Sequence, residues 1–127
     1  MKMKAKVILN EQHSLLPEQE GILDKKFENG WEIVHVPASG WTLAEMDEIY
    51  EEYKVDHTIV FASPIPYLIQ KFSYFMGYGY GEGWNPDFQE GRKPTSVYIF
   101  HNDRREKKEL PNGKVVHTVA KEGWQLV

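Results

Sequence analysis

The chain has 127 residues, with 19 acidic against 15 basic side chains, 41% hydrophobic and 13% aromatic residues, and no cysteine. A chain of this length reads as one soluble globular domain, residues 1–127, large enough to bury roughly two-thirds of its unfolded surface without covalent staples. The missing cysteines exclude disulfides, thiolate metal sites and cysteine nucleophiles, and a net charge of −4 argues against a non-specific binder of duplex nucleic acid.

In chain order, the opening Met1 to Asn10 carries lysines, but its apolar run, Val7 to Leu9, is too short for a signal peptide. No stretch approaches membrane-spanning length, so the expected setting is the cytoplasm, with no membrane partner. Lys4 to Leu9 reads as a first strand, closed by the polar cluster Asn10 to Ser14. A first helix follows from about Pro17 to Phe27, with Ile22, Leu23 and Phe27 inward, and Asn29-Gly30 stops it. Trp31 to Val36 is a second strand. The sequence Thr42-Leu43-Ala44-Glu45 is a capping box opening a second helix, whose apolar positions Leu43, Met46, Ile49, Tyr50 and Tyr53 fit the 3.6 period opposite a solvated acidic face.

Thr58 to Ala62 is a short unbroken apolar run, the pattern of a central parallel strand covered on both faces. In the third helix Ser63 is expected to cap, Pro64 and Pro66 to lie in the first turn, and Ile65, Leu68, Ile69, Phe72, Phe75 and Met76 to form the buried stripe, with Gly77 closing it. The segment Tyr78 to Pro94, rich in glycine and aromatics, is long for a loop. It reads as a lid stacking bases on Tyr78, Tyr80 or Trp84, as a dimer contact, or as an insertion without function. Ser96 to Phe100 is a fourth strand, followed by His101 to Arg105. Asn112-Gly113 joins Glu106–Pro111 to Lys114–Ala120 in a hairpin, and Trp124 to Val127 adds an edge piece. The alternation predicts an α/β, Rossmann-like, mostly parallel sheet flanked by three helices, with a C-terminal β-hairpin.

In open parallel sheets the ligand crevice lies outside the carboxyl ends of the strands. That rule gathers Asn10, His13, Ser14, Ser63, His101, Asn102, Arg104 and Arg105 at one rim, a set of hydroxyls, amides, imidazoles and guanidiniums suited to a phosphate ester. The chain has no G-x-G-x-x-G after the first strand and no Walker lysine, so recognition leans on side chains rather than a phosphate cradle. No cofactor is expected. His13, His101 and Asp103 lack metal-ligand spacing on one element, so no metal is expected either, and a metal hydrolase at His13 and His101 stays the third reading. His35, His57 and His117 read as structural or surface residues, while Arg104 to Lys108 reads either as part of the site or as a charged edge that discourages strand pairing.

Val7 to Asn10 followed by His13-Ser14-Leu15-Leu16-Pro17-Glu18-Gln19 resembles the opening of small standalone CRISPR-associated Rossmann-fold (CARF) proteins. The Val97-Tyr98 strand, the basic Arg104 and the Glu109-Leu110-Pro111-Asn112-Gly113-Lys114-Val115-Val116 hairpin are similar to that group's close, and Val60 to Pro64 before an apolar helix is compatible with its middle. The resemblance implies a homodimer that binds cyclic oligoadenylate, the second messenger of type III CRISPR defence, across its axis. It further implies ring-nuclease chemistry, in which a ribose 2′-hydroxyl attacks the adjacent phosphodiester without metal. Carried over by position, Asn10, His13 and Ser14 fall in the loop after the first strand, Ser63 in that after the third, and Arg104 is the basic residue after the fourth. His101 is added from its position alone, as an acid or base. Leu16 stands where that group has a capping Thr, and the glycine-aromatic segment is extra. The alternative is a non-catalytic module: a sensor or sponge for the same messenger, or a protein-interaction domain.

Overall fold

The computed structural model describes residues 3–76 and 93–127; the side chains of residues 74–76, 105, 106, 118 and 119 lie outside that description, as do Gly77, Tyr78, Tyr80 and Trp84. The elements run β1 (Ala5–Asn10), α1 (Pro17–Lys26), β2 (Trp31–Val36), α2 (Leu43–Tyr53), β3 (Thr58–Phe61), α3 (Pro66–Met76), β4 (Ser96–Asn102), β5 (Arg105–Glu109), β6 (Val115–Val119) and β7 (Trp124–Leu126). They form an α/β Rossmann-like fold with two sheets, one of five strands ordered β2-β1-β3-β4-β7 and one of two, β5-β6. The first four strands of the large sheet pair in parallel, and β7 closes its edge antiparallel to β4.

The unbroken apolar runs serve both faces because strand side chains alternate. Ile8, Ile59 and Phe61 point to one side, where Met46 and Tyr50 of α2 and Leu68 and Phe72 of α3 cover them. Val7, Val60 and Phe100 point to the other, where Leu23 of α1 seals the layer. Leu23, Leu68, Val7, Ile59 and Val60 are fully buried. Within α2, Leu43 departs from the expected inward stripe: it is the first helical residue and stays 61% exposed.

Local signals set the helix starts. Thr42 Oγ1 accepts from the Glu45 N–H at 3.1 Å, and the Glu45 carboxylate accepts from the Thr42 N–H at 3.0 Å, the reciprocal capping box read from the sequence. For α1 only half of that device exists, because Leu16 has no acceptor: Gln19 Oε1 accepts from the Leu16 N–H at 2.8 Å, and Pro17 stands first in the helix. At α3 the expectation is corrected. The helix begins at Pro66, the Ile69 N–H bonds back to the Ile65 carbonyl, and both Ser63 and Pro64 lie before it. Ser63 therefore does not cap, and only one proline, Pro66, occupies the first turn.

A second correction concerns β4. It runs two residues past the expected Phe100, because β7 pairs Phe100 with Leu126, His101 with Gln125 and Asn102 with Trp124. The antiparallel partner continues the ladder where the parallel one stops, so His101 and Asn102 are strand residues rather than loop residues.

Candidate functional site

In the strand order β2-β1-β3-β4, the chain leaves β1 for one neighbour through α1 and reaches the other through α2 on the opposite face, so the loops after β1 and β3 diverge. The crevice at this switch point is pinned by a long-range side-chain bond, the Asn10 N–H donating to Ser63 Oγ at 2.8 Å. Ala62 and Ser63 both donate their N–H groups to the Ile8 carbonyl, at 2.9 and 3.0 Å, which carries the chain directly from β3 over the end of β1. Asn10 also shapes its own loop. Its Oδ1 accepts from the Gln12 N–H at 2.9 Å and its carbonyl from the His13 N–H at 2.9 Å, an Asx-type turn that projects His13 and Ser14 outward, both exposed.

Two cavities open along this edge, and both are walled by Ala62 and Trp124. The larger, about 510 Å³, lies between the β1–α1 loop and Trp124 and is lined by His13, Ser14 and Gln19 among others. The smaller, about 220 Å³, lies over the end of β4 and is lined by Pro64, His101 and Asn102. The structure thus brings Asn10, His13, Ser14, Ser63, His101 and Asn102 to one end of the sheet, with Arg104 following on the loop past β4. His13 and His101 stand on different cavities. Arg105 opens β5 with its side chain outside the described residues, and Tyr78, Tyr80 and Trp84 lie outside them altogether.

The side chains in this set have different freedom. Ser63 is buried and its hydroxyl accepts from Asn10. Asn102, also buried, donates through Nδ2 to the Ala120 and Glu122 carbonyls, each at 3.2 Å, and accepts through Oδ1 from the Arg104 N–H at 2.6 Å. Its amide braces the tail against β4 rather than facing a ligand. His101 is exposed, and its Nε2 meets Asp103 Oδ1 at 2.9 Å; Asp103 in turn accepts from Gln125 Nε2 at 2.7 Å. A carboxylate placed this way orients an imidazole for proton transfer. Arg104 is exposed, with Nη1 3.9 Å from Glu122 Oε2, a long surface ion pair of the kind that contributes little to stability.

Two lining residues escape a linear reading. Gln19, buried, projects from the start of α1 into the larger cavity. Trp124 is brought there by a bond across 106 residues, its N–H donating to Glu18 Oε1 at 2.7 Å. The Leu16–Gln19 spacing is a partial signal for the first; nothing local signals the second. The remaining histidines fit structural roles: His57 Nδ1 contacts the Val55 carbonyl at 2.7 Å and its ring meets Tyr53 edge-on, while His35 and His117 are exposed on β2 and β6. Among the described residues no group of three or more His, Asp or Glu side chains is arranged to hold a metal ion, and no helix is long and apolar enough to cross a membrane.

Comparison with protein-family models, with curated proteins and with solved structures finds no match to this chain.

Proposed function

We propose that this chain binds cyclic oligoadenylate at the carboxyl edge of its sheet, as a homodimer in the cytoplasm, and that a bound ring has a metal-independent route to cleavage. The observation that carries the reading is the Asn10–Ser63 bond at the switch point, flanked by two cavities that share one wall. A cyclic nucleotide alternates bases with phosphates, and the edge alternates likewise: a cavity beside α1 with no Asp, Glu, Lys or Arg among its described lining residues, then the His101 imidazole at the end of β4 and the Arg104 guanidinium just past it. Arg104 from two protomers would double the positive charge facing the ring, offsetting a chain whose net charge is −4. Cleavage would require that a ribose 2′-hydroxyl be held in line with the adjacent phosphorus: the new bond closes the 2′,3′-cyclic phosphate as the bond from phosphorus to the 5′-oxygen breaks, His101, oriented by Asp103, takes the hydroxyl proton, and the departing 5′-oxygen takes one from water.

Binding without turnover is a second reading with its own support. Ser63 spends its hydroxyl on Asn10, Asn102 spends its amide on the tail, and the two histidines open onto different cavities. The same experiment separates the two. Cyclic tri-, tetra- and hexa-adenylate are each incubated with the pure protein, and melting temperature and ligand mass are read. A raised melting temperature with intact ligand identifies a binder, and a 2′,3′-cyclic phosphate product identifies a nuclease. No shift and no product with any ring overturns the proposal. Arg104→Ala is expected to abolish the shift, as loss of a phosphate contact requires.

A further inference from the structure

We infer that the larger cavity is a preformed pocket for a single purine base, one per protomer, formed without help from a second copy of the chain. It occupies part of the edge described above, but it depends neither on a cyclic ligand nor on a dimer. Three observations carry it.

The first is an amide with one end committed. Gln19 is only 5% exposed, and its Oε1 accepts from the Leu16 N–H at 2.8 Å. A backbone N–H can only donate, so this bond fixes which end of the amide faces the helix start and turns Nε2 the other way. Nε2 has no partner among the described residues, yet no buried side-chain nitrogen or oxygen there is left unsatisfied, so Nε2 opens into the cavity that Gln19 lines. What enters must present an acceptor to it.

The second is a fixed aromatic wall. The Trp124 indole is held at both ends of its reach: Nε1 donates to the Ala120 carbonyl at 3.2 Å, and the ring packs edge-on against Phe100 at 6.1 Å between centroids. With its backbone N–H bound to Glu18, the indole does not have to be ordered when a ligand arrives. Leu9, Leu16 and Ala62 add apolar lining, and the exposed His13 and Ser14 line the same cavity.

The third is charge. Among the described residues no Asp, Glu, Lys or Arg lines the cavity, and His13 is its one titratable lining residue. Pro17 deletes one of the amide donors that a helix start would offer to an anion, and the Glu18 carboxylate sits at the same turn, bonded to Trp124. An anion is disfavoured here. A flat, uncharged ring with ring-nitrogen acceptors fits, since it can stack on the indole and accept from Gln19. Purines offer such acceptors on two edges.

The test uses the full chain with adenosine, guanosine and inorganic phosphate as separate probes in titration calorimetry. Adenosine or guanosine is expected to bind with one site per protomer, and phosphate is not. Gln19→Glu keeps the acceptor for the Leu16 N–H and removes the donor, so it is expected to fold, at some cost in melting temperature, while binding at least about tenfold more weakly, the scale of one lost hydrogen bond. Should that variant fail to fold, Trp124→Phe, which keeps an aromatic wall of smaller area, is expected to weaken binding measurably. Absence of nucleoside binding at about 1 mM overturns the inference. So does unchanged affinity in a folded Gln19→Glu protein, or competition by phosphate. Nucleoside binding without any response to cyclic oligoadenylate sustains the pocket and removes the messenger; ring binding indifferent to Gln19→Glu does the reverse.

Discussion

Asn10 and Ser63 are joined by a hydrogen bond of 2.8 Å from the backbone N–H of one to the side-chain oxygen of the other, 53 residues apart in the chain. It ties the last residue of β1 to the turn after β3, the two places where the sheet changes direction. Because Ser63 is buried, water cannot readily replace its hydroxyl. Ser63→Ala is expected to lower stability by about 1–3 kcal/mol, the cost of an unsatisfied buried donor. Urea denaturation checks this: the midpoint should fall with an unchanged slope, since the surface exposed on unfolding is the same.

The Thr42–Glu45 box is reciprocal, each side chain bonding the other's backbone N–H. Thr42→Ala is expected to cost about 1 kcal/mol. Adding Glu45→Ala should cost less than the sum of the two single changes, because both act on one helix start. Four denaturation curves complete the cycle, and strict additivity would show that the two halves act independently.

That box was legible in the sequence because its partners are three residues apart, as were the Asn112-Gly113 hairpin and the alternation of strands and helices. The end of β4 was not, because His101 and Asn102 become strand residues only through pairing with Gln125 and Trp124. Ser63 looked like a cap because a polar residue before Pro64-Ile65-Pro66 invites that reading; a distant backbone N–H takes the hydroxyl instead. Gln19 was hidden for a subtler reason, since a capping glutamine is normally recognised by the Ser or Thr three residues earlier, and Leu16 stands there. The rim itself followed from the order of elements. Which side chains on it are committed to the fold and which face outward depends on contacts that no local pattern encodes.

On the face of α2 toward α3, Asp47 accepts from Lys71 Nζ at 2.5 Å and from the Tyr67 hydroxyl at 2.8 Å. The Lys71 bond, with the Tyr67 bond second, holds the Asp47 carboxyl below its ordinary 3.8, and the same contact raises Lys71 above its ordinary 10.5. A depressed carboxylate contributes stability above its unfolded value and loses it as pH falls through the folded one; a raised amine contributes below its unfolded value and loses it as pH rises through the folded one. The pair therefore stabilises between 3.8 and 10.5. Comparison of wild type with Asp47→Asn across pH should show a small gap in denaturation midpoint throughout that window. The gap should close below it and shrink in high salt, as both groups are partly exposed. A gap that persists at about pH 2 would assign the effect to something other than this ion pair.

Gly123 is the hinge that delivers Trp124 to Glu18. Its φ is +90°, a region that costs an L-residue about 1–2 kcal/mol. A Cβ there would also meet Arg104 Cγ and Cδ, both at 2.9 Å. The two penalties differ in kind. The first belongs to the backbone and cannot be relieved, whereas the second falls on the flexible stem of an exposed side chain, which can swing away. Gly123→Ala is therefore expected to destabilise by about 1–2 kcal/mol through φ alone, and to move the Arg104 guanidinium from its place beside Glu122. In an Arg104→Ala background the clash is absent but the backbone strain remains, so the loss of stability should persist nearly in full. Denaturation midpoints of the two single variants and the double variant decide the matter. Substantial recovery in the double variant would mean that the Arg104 stem is packed firmly against the turn, and would make Gly123 a determinant of where that cation points rather than only of how the tail bends.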